Sequence, residues 1–221
     1  MNFNTTLINA TDIPDAWFQC VSKVLDVGNK YEIEHGSFVG QTRLEFDQIT
    51  VVIRHPYQEP YDNMLPKIPA TLGIPDPVEP GYVEQYLPYL MTDHIEPGEQ
   101  YTYGSRIYQQ IGYWTGILMA TPNTNQAVLQ VAHPDDFPLS DPPCLRHIDM
   151  KIKDGCLNFY PYFRSWDLWG GFPANLAAMA VLQKLMADTI GVESGLICAT
   201  SKGLHLYGYV EELAKLRCQK Q

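Results

Sequence analysis

The sequence has few charged residues, and fewer bases than acids. Charged side chains make up 18% of the 221 residues, and 15 lysines and arginines stand against 25 aspartates and glutamates, for a formal charge of -10. Nucleic acids and acidic membrane surfaces are polyanions, so they have no long-range attraction for such a protein. We therefore expect no nucleic acid and no membrane among its partners.

Long apolar runs are also missing. No stretch of the sequence approaches the roughly 20 apolar residues that a membrane-spanning helix needs. The opening residues, MNFNTTLINATDIPDAW, contain neither the basic region nor the apolar core of a secretion signal. We expect a cytoplasmic protein.

The sequence shows no metal-binding or phosphate-loop pattern. Its five cysteines have no CxxC spacing, and its six histidines are not spaced as metal ligands are. The glycine loops GxxxxGK[ST] and GxGxxG are absent, and so are the HExxH and GxSxG motifs. We predict that the protein uses no metal.

Apolar residues make up 45% of the sequence and aromatic residues 12%, which is enough for one well-packed domain over residues 1–221. Residues 14–27 have helical spacing, and residues 174–190 are apolar almost all round, which is typical of a central buried helix. Residues 47–54 and 126–133 are predicted strands, and residues 195–210 a strand that runs into a final helix. The Pro-rich residues 56–80 are predicted to form an ordered surface excursion. The pattern predicts an α+β fold with helices on a mixed or antiparallel sheet.

A hairpin is predicted over residues 145–163, where alternating apolar residues flank the turn Asp154-Gly155. Its register places Cys144 opposite Ser165, with Arg164 diagonally adjacent. Pro161 indicates an edge strand or a bulge, and one extra residue there would bring Arg164 onto the face of Cys144. A guanidinium lowers the pKa of a nearby thiol, so Cys144 is a candidate nucleophile. The alternative is an ordinary buried cysteine.

Four features follow one another along the sequence around this hairpin. They are PPC (residues 142–144), RSWDLWGGFPAN (164–175), a long apolar helix, and HLY (205–207), with YTYGSR (101–106) upstream. In this order and spacing they resemble the cysteine-dependent, non-flavin thymidylate synthases, and the short chain is most similar to their compact archaeal branch. The resemblance implies an α+β fold with a bulged sheet packed by helices around a long buried helix.

The resemblance implies a methyltransferase that converts dUMP to dTMP. Cys144 would add to C6 of the uracil ring, which makes C5 nucleophilic, and Tyr103 would help remove the C5 proton. Glu84, in the helix-like GYVEQYLPYL, is the candidate for the glutamate with which the family relays protons through water. The carbon donor would be methylene-tetrahydrofolate or a methanopterin-type reduced pterin.

The remaining family positions imply binding roles. Asn175 would read the base edge, since its amide offers both a donor and an acceptor to uracil. His205 and Tyr207 would hold the sugar 3'-hydroxyl, and Asp167 would lie on the cofactor side. Arg164 and Ser165 would bind the 5'-phosphate, and the enzyme would be a homodimer.

The sequence departs from the family at the phosphate. Thymidylate synthases use further arginines there, two of them lent by the partner subunit, whereas this chain has Asn125, Gln126 and His35 at the matching places. Arg43, Arg54 and Arg106 are candidate replacements. Two other functions stay open: a pyrimidine nucleotide hydroxymethylase, in which water quenches the same intermediate, and a nucleotide-binding paralogue without turnover.

Overall fold

The computed structural model describes residues 3–36 and 38–220. Ten strands and five α-helices lie within them: β1 (Thr5–Ala10), α1 (Ile13–Val27), β2 (Asn29–Glu32), β3 (Thr42–Glu45), β4 (Gln48–Ile53), α2 (Tyr82–Met91), α3 (Tyr103–Ala120), β5 (Val128–Gln130), β6 (Leu145–Lys153), β7 (Cys156–Phe163), β8 (Trp166–Asp167), α4 (Gly171–Ile190), β9 (Glu193–Ser201), β10 (Leu204–Tyr207) and α5 (Gly208–Cys218). None of the described helices is long and apolar enough to cross a membrane.

Two sheets organise these elements, and both are mixed. The larger has the strand order β1-β4-β9-β7-β6-β5, in which β1 with β4 and β7 with β9 are parallel and the other pairs antiparallel. The smaller has the order β2-β3-β10-β8. The predicted α+β class with a mixed sheet is confirmed.

Helix α4 is the centre of the core, as the sequence predicts. Its apolar residues are buried on nearly every side, and it ends at Gly191, whose positive φ of 84° and N–H bond to Ala187 close the last turn. Its buried Gln183 donates to the carbonyls of Leu157 (3.0 Å) and Leu196 (2.9 Å). The glutamine thereby holds α4 against β7 and β9.

The hairpin forms around the predicted turn, but its irregularity lies elsewhere. Asp154 and Gly155 both have positive φ, which suits a two-residue hairpin turn. The register shifts between Leu145 and His147, in β6, while Pro161 pairs regularly with Ile148. The predicted bulge or edge at Pro161 is therefore wrong, because β7 lies between β6 and β9 and a proline removes only one ladder donor.

Two other expectations need correction. Residues 195–210 contain two strands in different sheets instead of one, because the chain turns at Lys202 and Gly203 between β9 and β10; the predicted final helix follows as α5. The Pro-rich segment is ordered but only partly superficial. Met64 and Leu65 within it are almost completely buried in the core, since apolar side chains are more stable out of water.

Candidate active site

A cleft of about 480 Å³ opens where the start of β6 meets the end of β7 and strand β10. Its lining includes five residues to which the sequence analysis assigns catalysis or substrate binding, namely Cys144, Arg164, Ser165, His205 and Tyr207. They come from three separate segments of the chain, and the two sheets bring these segments together.

Cys144 and Arg164 are direct cross-strand neighbours. The bulge in β6 takes up one residue, so the N–H of Arg164 donates to the carbonyl of Cys144 at 2.9 Å. The sequence register placed Ser165 at this position. The extra residue that aligns Arg164 with Cys144 lies in the first strand of the hairpin rather than at Pro161.

The Cys144 thiol is less acidic than the sequence suggests. Burial raises its pKa above the ordinary thiol value; Arg164 lowers it, Asp141 raises it and Arg146 lowers it, and burial outweighs the rest. The expected effect of Arg164 is present, but the net shift is in the opposite direction. Desolvation of the thiolate is the physical reason.

The Arg164 guanidinium holds the loop that precedes Cys144. Its Nε donates to the carbonyl of Pro143 (3.2 Å), and its Nη2 donates to the carbonyl of Pro142 and to the carboxylate of Asp141 (3.1 Å). Among the described residues, no acceptor lies against Nη1. An arginine has five N–H donors, so two remain for a ligand.

Tyr103 lies directly behind the nucleophile. It is the first residue of α3, and its buried hydroxyl accepts the N–H of Leu145 at 3.3 Å. Burial, with a contribution from Cys144, raises the pKa of Tyr103 well above its usual value. Its hydroxyl therefore stays protonated at neutral pH.

His205 presents an acceptor nitrogen. Its Nδ1 lies 2.9 Å from the carbonyl of Gly203, and a carbonyl only accepts, so Nδ1 carries the proton. Burial lowers the pKa of the imidazole, which is therefore neutral at pH 7. Its Nε2 is buried and has no partner among the described residues. A hydroxyl of a ligand would satisfy it. The ring of Tyr207 packs edge-on against this imidazole, with centroids 4.5 Å apart.

Asp167 ends strand β8 and accepts hydrogen bonds from the backbone that leads into helix α4. Its Oδ1 accepts the N–H of Trp169 (3.1 Å), and its Oδ2 accepts those of Gly170 (3.1 Å) and Gly171 (2.9 Å). A carboxylate at this place satisfies donors that have no partner within the helix and complements the positive end of its dipole.

Asn175 is tied to a residue that the sequence analysis missed. Its Oδ1 accepts from the indole Nε1 of Trp166 at 2.9 Å, and its Nδ2 donates to the hydroxyl of Tyr86 at 2.8 Å. Tyr86 comes from α2, and its contact with Asn175 joins residues 89 positions apart. The one feature of Tyr86 that the sequence shows is its spacing of four residues from Tyr82, which places the two rings on the same face of a helix, where they stack.

Glu84 does not join these residues. It lies on the exposed face of α2 and lines a separate depression with Glu59, Pro60 and Tyr61. Two residues later on the same helix, Tyr86 faces the other side, toward Asn175. The sequence does not show which face of α2 is turned toward Asn175, so it does not distinguish Tyr86 from Glu84 as the residue of the site.

Comparison with known proteins identifies the family of the chain. The sequence model described as "Thymidylate synthase" matches residues 91–221. A protein named "Putative thymidylate synthase" from Methanosarcina acetivorans is 30% identical over 220 residues, which cover 95% of this chain and 94% of that one. One of the same name from Methanothermobacter thermautotrophicus is 27% identical, over 90% and 92% of the two chains.

The chain belongs to the thymidylate synthase family. A "Thymidylate synthase" from Listeria monocytogenes is 31% identical over 99 residues, which cover 44% of this chain and 32% of that one. The family binds dUMP, is generally dimeric and normally uses a folate-type co-substrate. No group of three or more metal-ligating side chains occurs among the described residues.

The cleft also carries several basic side chains. Arg43, Lys202 and His35 line it with Arg164, and the sequence analysis did not single out Lys202. Arg106 does not line the cleft, and its guanidinium forms an ion pair with the buried Asp136 at 2.7 Å.

Arg54 is exposed and does not line the cleft. Asn125 accepts from Lys151 at 3.0 Å, outside the cleft of its own chain, and Gln126 does not line that cleft either.

Proposed function

We propose that the protein is a thymidylate synthase that methylates dUMP at C5 through a covalent adduct on Cys144. The observation that carries the proposal is the pairing of Cys144 with Arg164 across the hairpin, in the same cleft as the buried acceptor of His205. A thiol, a cation and a hydroxyl acceptor match the reactive ring, the phosphate and the sugar of a pyrimidine nucleotide.

The thiol performs the first chemical step. C5 of uracil is a weak nucleophile, and addition of the thiolate to C6 gives C5 the character of an enolate carbon. The raised pKa of Cys144 means that the thiolate forms fully only when a positive or hydrogen-bonding partner offsets its burial. Tyr103, next to Cys144 through the Leu145 amide, is our candidate to assist removal of the C5 proton.

Substrate binding follows from the donors and acceptors of the cleft. The neutral His205, through Nε2, and Tyr207 would hold the 3'-hydroxyl. The free Nη1 of Arg164 and the hydroxyl of Ser165 would bind the phosphate. Lys202 would supply further positive charge, whereas Arg43 already donates through Nε to Glu45 at 2.6 Å in the same cleft.

A reduced pterin would bind beside the start of α4. A depression of about 350 Å³ there suits a flat ring with polar edges. Asn175 borders this depression rather than the Cys144 cleft, so the base that it reads would lie between the two. The other lining residues are Pro77, Val78, Glu79, Tyr82, Gly170, Gly171 and Ala174. When bound, a methylene-tetrahydrofolate or methanopterin-type donor would supply the one-carbon unit and the hydride.

A homodimer is part of this proposal. The outward face of the larger sheet carries the 62%-exposed Leu7 and the half-buried Val52, Tyr160, Tyr162 and Cys198, opposite the face that packs on α4. Such an apolar sheet face is stabilised by a second copy. The cytoplasmic location and a single domain over residues 1–221 stay predictions.

The experiment is tritium release from dUMP labelled at C5, measured with each pterin and followed by identification of the product. We expect release by the wild type and none by Cys144→Ser, while Cys156→Ser, at the far end of the hairpin, keeps the activity. A hydroxymethyl product would move the assignment to a nucleotide hydroxymethylase. Tight binding of dUMP without release would indicate the paralogue without turnover.

A further inference from the structure

The hydrogen bonds around Asn175 run in one direction. The indole Nε1 of Trp166 can only donate, so the amide atom that faces it is the oxygen. The Nδ2 group then points to Tyr86 and donates to its hydroxyl. Trp166 is itself held between Phe163, stacked with ring centroids 3.8 Å apart, and Phe172 at 4.7 Å. The amide of Asn175 therefore has a fixed orientation.

Tyr86 is the last member of this series of hydrogen bonds, and its hydroxyl hydrogen is still free to donate. Its oxygen accepts from Asn175, and among the described residues no acceptor lies against its own O–H. Burial, followed by the neighbouring Tyr103 and Tyr89, raises the pKa of Tyr86 well above its usual value, so the hydroxyl stays protonated at neutral pH. Buried hydroxyl donors are normally paired. The unpaired O–H of Tyr86 beside Asn175 therefore indicates that an acceptor atom of a bound ligand pairs with it.

The hydroxyl belongs to a group of tyrosines that reaches the nucleophile. The rings of Tyr86 and Tyr89 have centroids 5.3 Å apart, and those of Tyr89 and Tyr103 are 5.2 Å apart. Tyr103 in turn bonds the amide of Leu145, next to Cys144. A pyrimidine ring that meets Cys144 at C6 and Asn175 at its far edge would lie along this group.

We propose that Tyr86 donates a hydrogen bond to O4 of the pyrimidine during the covalent step, and that Trp166 is the positioning residue that orients this donor through Asn175. The inference rests on the proposed function and names a further catalytic residue for it. Glu84, on the exposed face of the same helix, has no part in this contact.

The electron flow shows why a donor is needed there. When the sulfur of Cys144 bonds to C6, the C5=C6 pair moves to C4–C5 and the carbonyl pair moves onto O4. The charge that the thiolate carried then resides largely on O4, and the O–H of Tyr86 stabilises it without proton transfer. A donor that meets charge only as it develops lowers the barrier more than it strengthens binding. A cytosine presents an amino group at this position, so the same donor disfavours it.

The test compares Tyr86→Phe with two controls, Tyr113→Phe and Glu84→Gln. Tyr113 lies on α3 and is 62% exposed, so its variant loses the same hydroxyl on the surface. For Tyr86→Phe we expect tritium release from C5-labelled dUMP to fall about 100-fold to 1000-fold, the usual effect of removing one such donor. The affinity for dUMP should change far less, and both controls should keep wild-type rates.

A second variant keeps the test independent of the stability of Tyr86→Phe. Trp166→Phe keeps an aromatic ring between Phe163 and Phe172 but removes the N–H that orients Asn175. We expect its preference for dUMP over dCMP, measured as relative tritium release, to fall roughly tenfold.

Three outcomes overturn the inference. They are a Tyr86→Phe rate within threefold of the wild type, an equal loss of rate and dUMP affinity, and loss of activity in Glu84→Gln instead. Failure of the wild type to release tritium with either pterin would overturn the proposed function, and this inference with it.

Discussion

Replacing Asp167 with alanine should destabilise the protein by about 2 kcal/mol. The carboxylate accepts three backbone N–H groups, those of Trp169, Gly170 and Gly171, at distances of 2.9 to 3.1 Å. Gly171 is the first residue of helix α4, the centre of the core, and Trp169 and Gly170 lead directly into it. Alanine leaves all three donors without a protein partner.

The magnitude combines two effects of the same carboxylate. Loss of a side-chain cap at a helix start costs about 0.5–2 kcal/mol, and loss of a favourable charge there costs about 0.3–1 kcal/mol, or up to about 2 kcal/mol when partly buried. These effects overlap, so we expect about 2 kcal/mol rather than their full sum. A chain of this size loses about 2–4 °C in Tm per kcal/mol, so Tm should fall by about 4–8 °C.

The assay is thermal unfolding of the protein without ligand, with urea unfolding in parallel. Asp167→Asn keeps one acceptor oxygen and should lose about half as much stability. Asp188→Asn is the control, because this exposed aspartate pairs with Lys184 on the surface of α4. A wild-type Tm for Asp167→Ala, together with lost activity, would refute the structural role and leave the carboxylate as a ligand contact alone.

Three further predictions concern the cleft and the assembly. Burial raises the pKa of Cys144, so its alkylation by iodoacetamide in the protein without ligand should keep accelerating as pH rises past the usual thiol range, where a free thiol levels off. At fixed pH, Asp141→Asn should react faster and Arg164→Ala slower, and the reverse order would contradict the assigned charges. Asn175→Asp should shift preference from dUMP toward dCMP, because the O–H of Tyr86 would turn to the new carboxylate; an unchanged ratio of efficiencies for the two nucleotides would exclude a role of Asn175 in reading the base. Sedimentation at micromolar concentration should show a dimer, and a monomer would contradict the proposed assembly.

Local patterns in the sequence were sufficient for several elements. The turn at Asp154-Gly155 needs positive φ at two residues, and Asp-Gly is a pair that readily adopts it. The apolar residues of α4 occupy nearly every face of the helix, and this predicts burial without knowledge of the partner elements. The order of the motifs around Cys144 was enough to indicate the family.

Only the tertiary structure decided which side chains of the site meet. The bulge in β6 pairs Cys144 with Arg164, and burial sets the direction of the thiol pKa against that arginine. The helix face of α2 brings Tyr86, rather than Glu84, to Asn175, across 89 residues of sequence. Turn conformation and helical periodicity depend on neighbouring residues, so the sequence determines them directly. Desolvation and the pairing of distant donors and acceptors depend on the packed arrangement of the whole chain, and no local pattern specifies them.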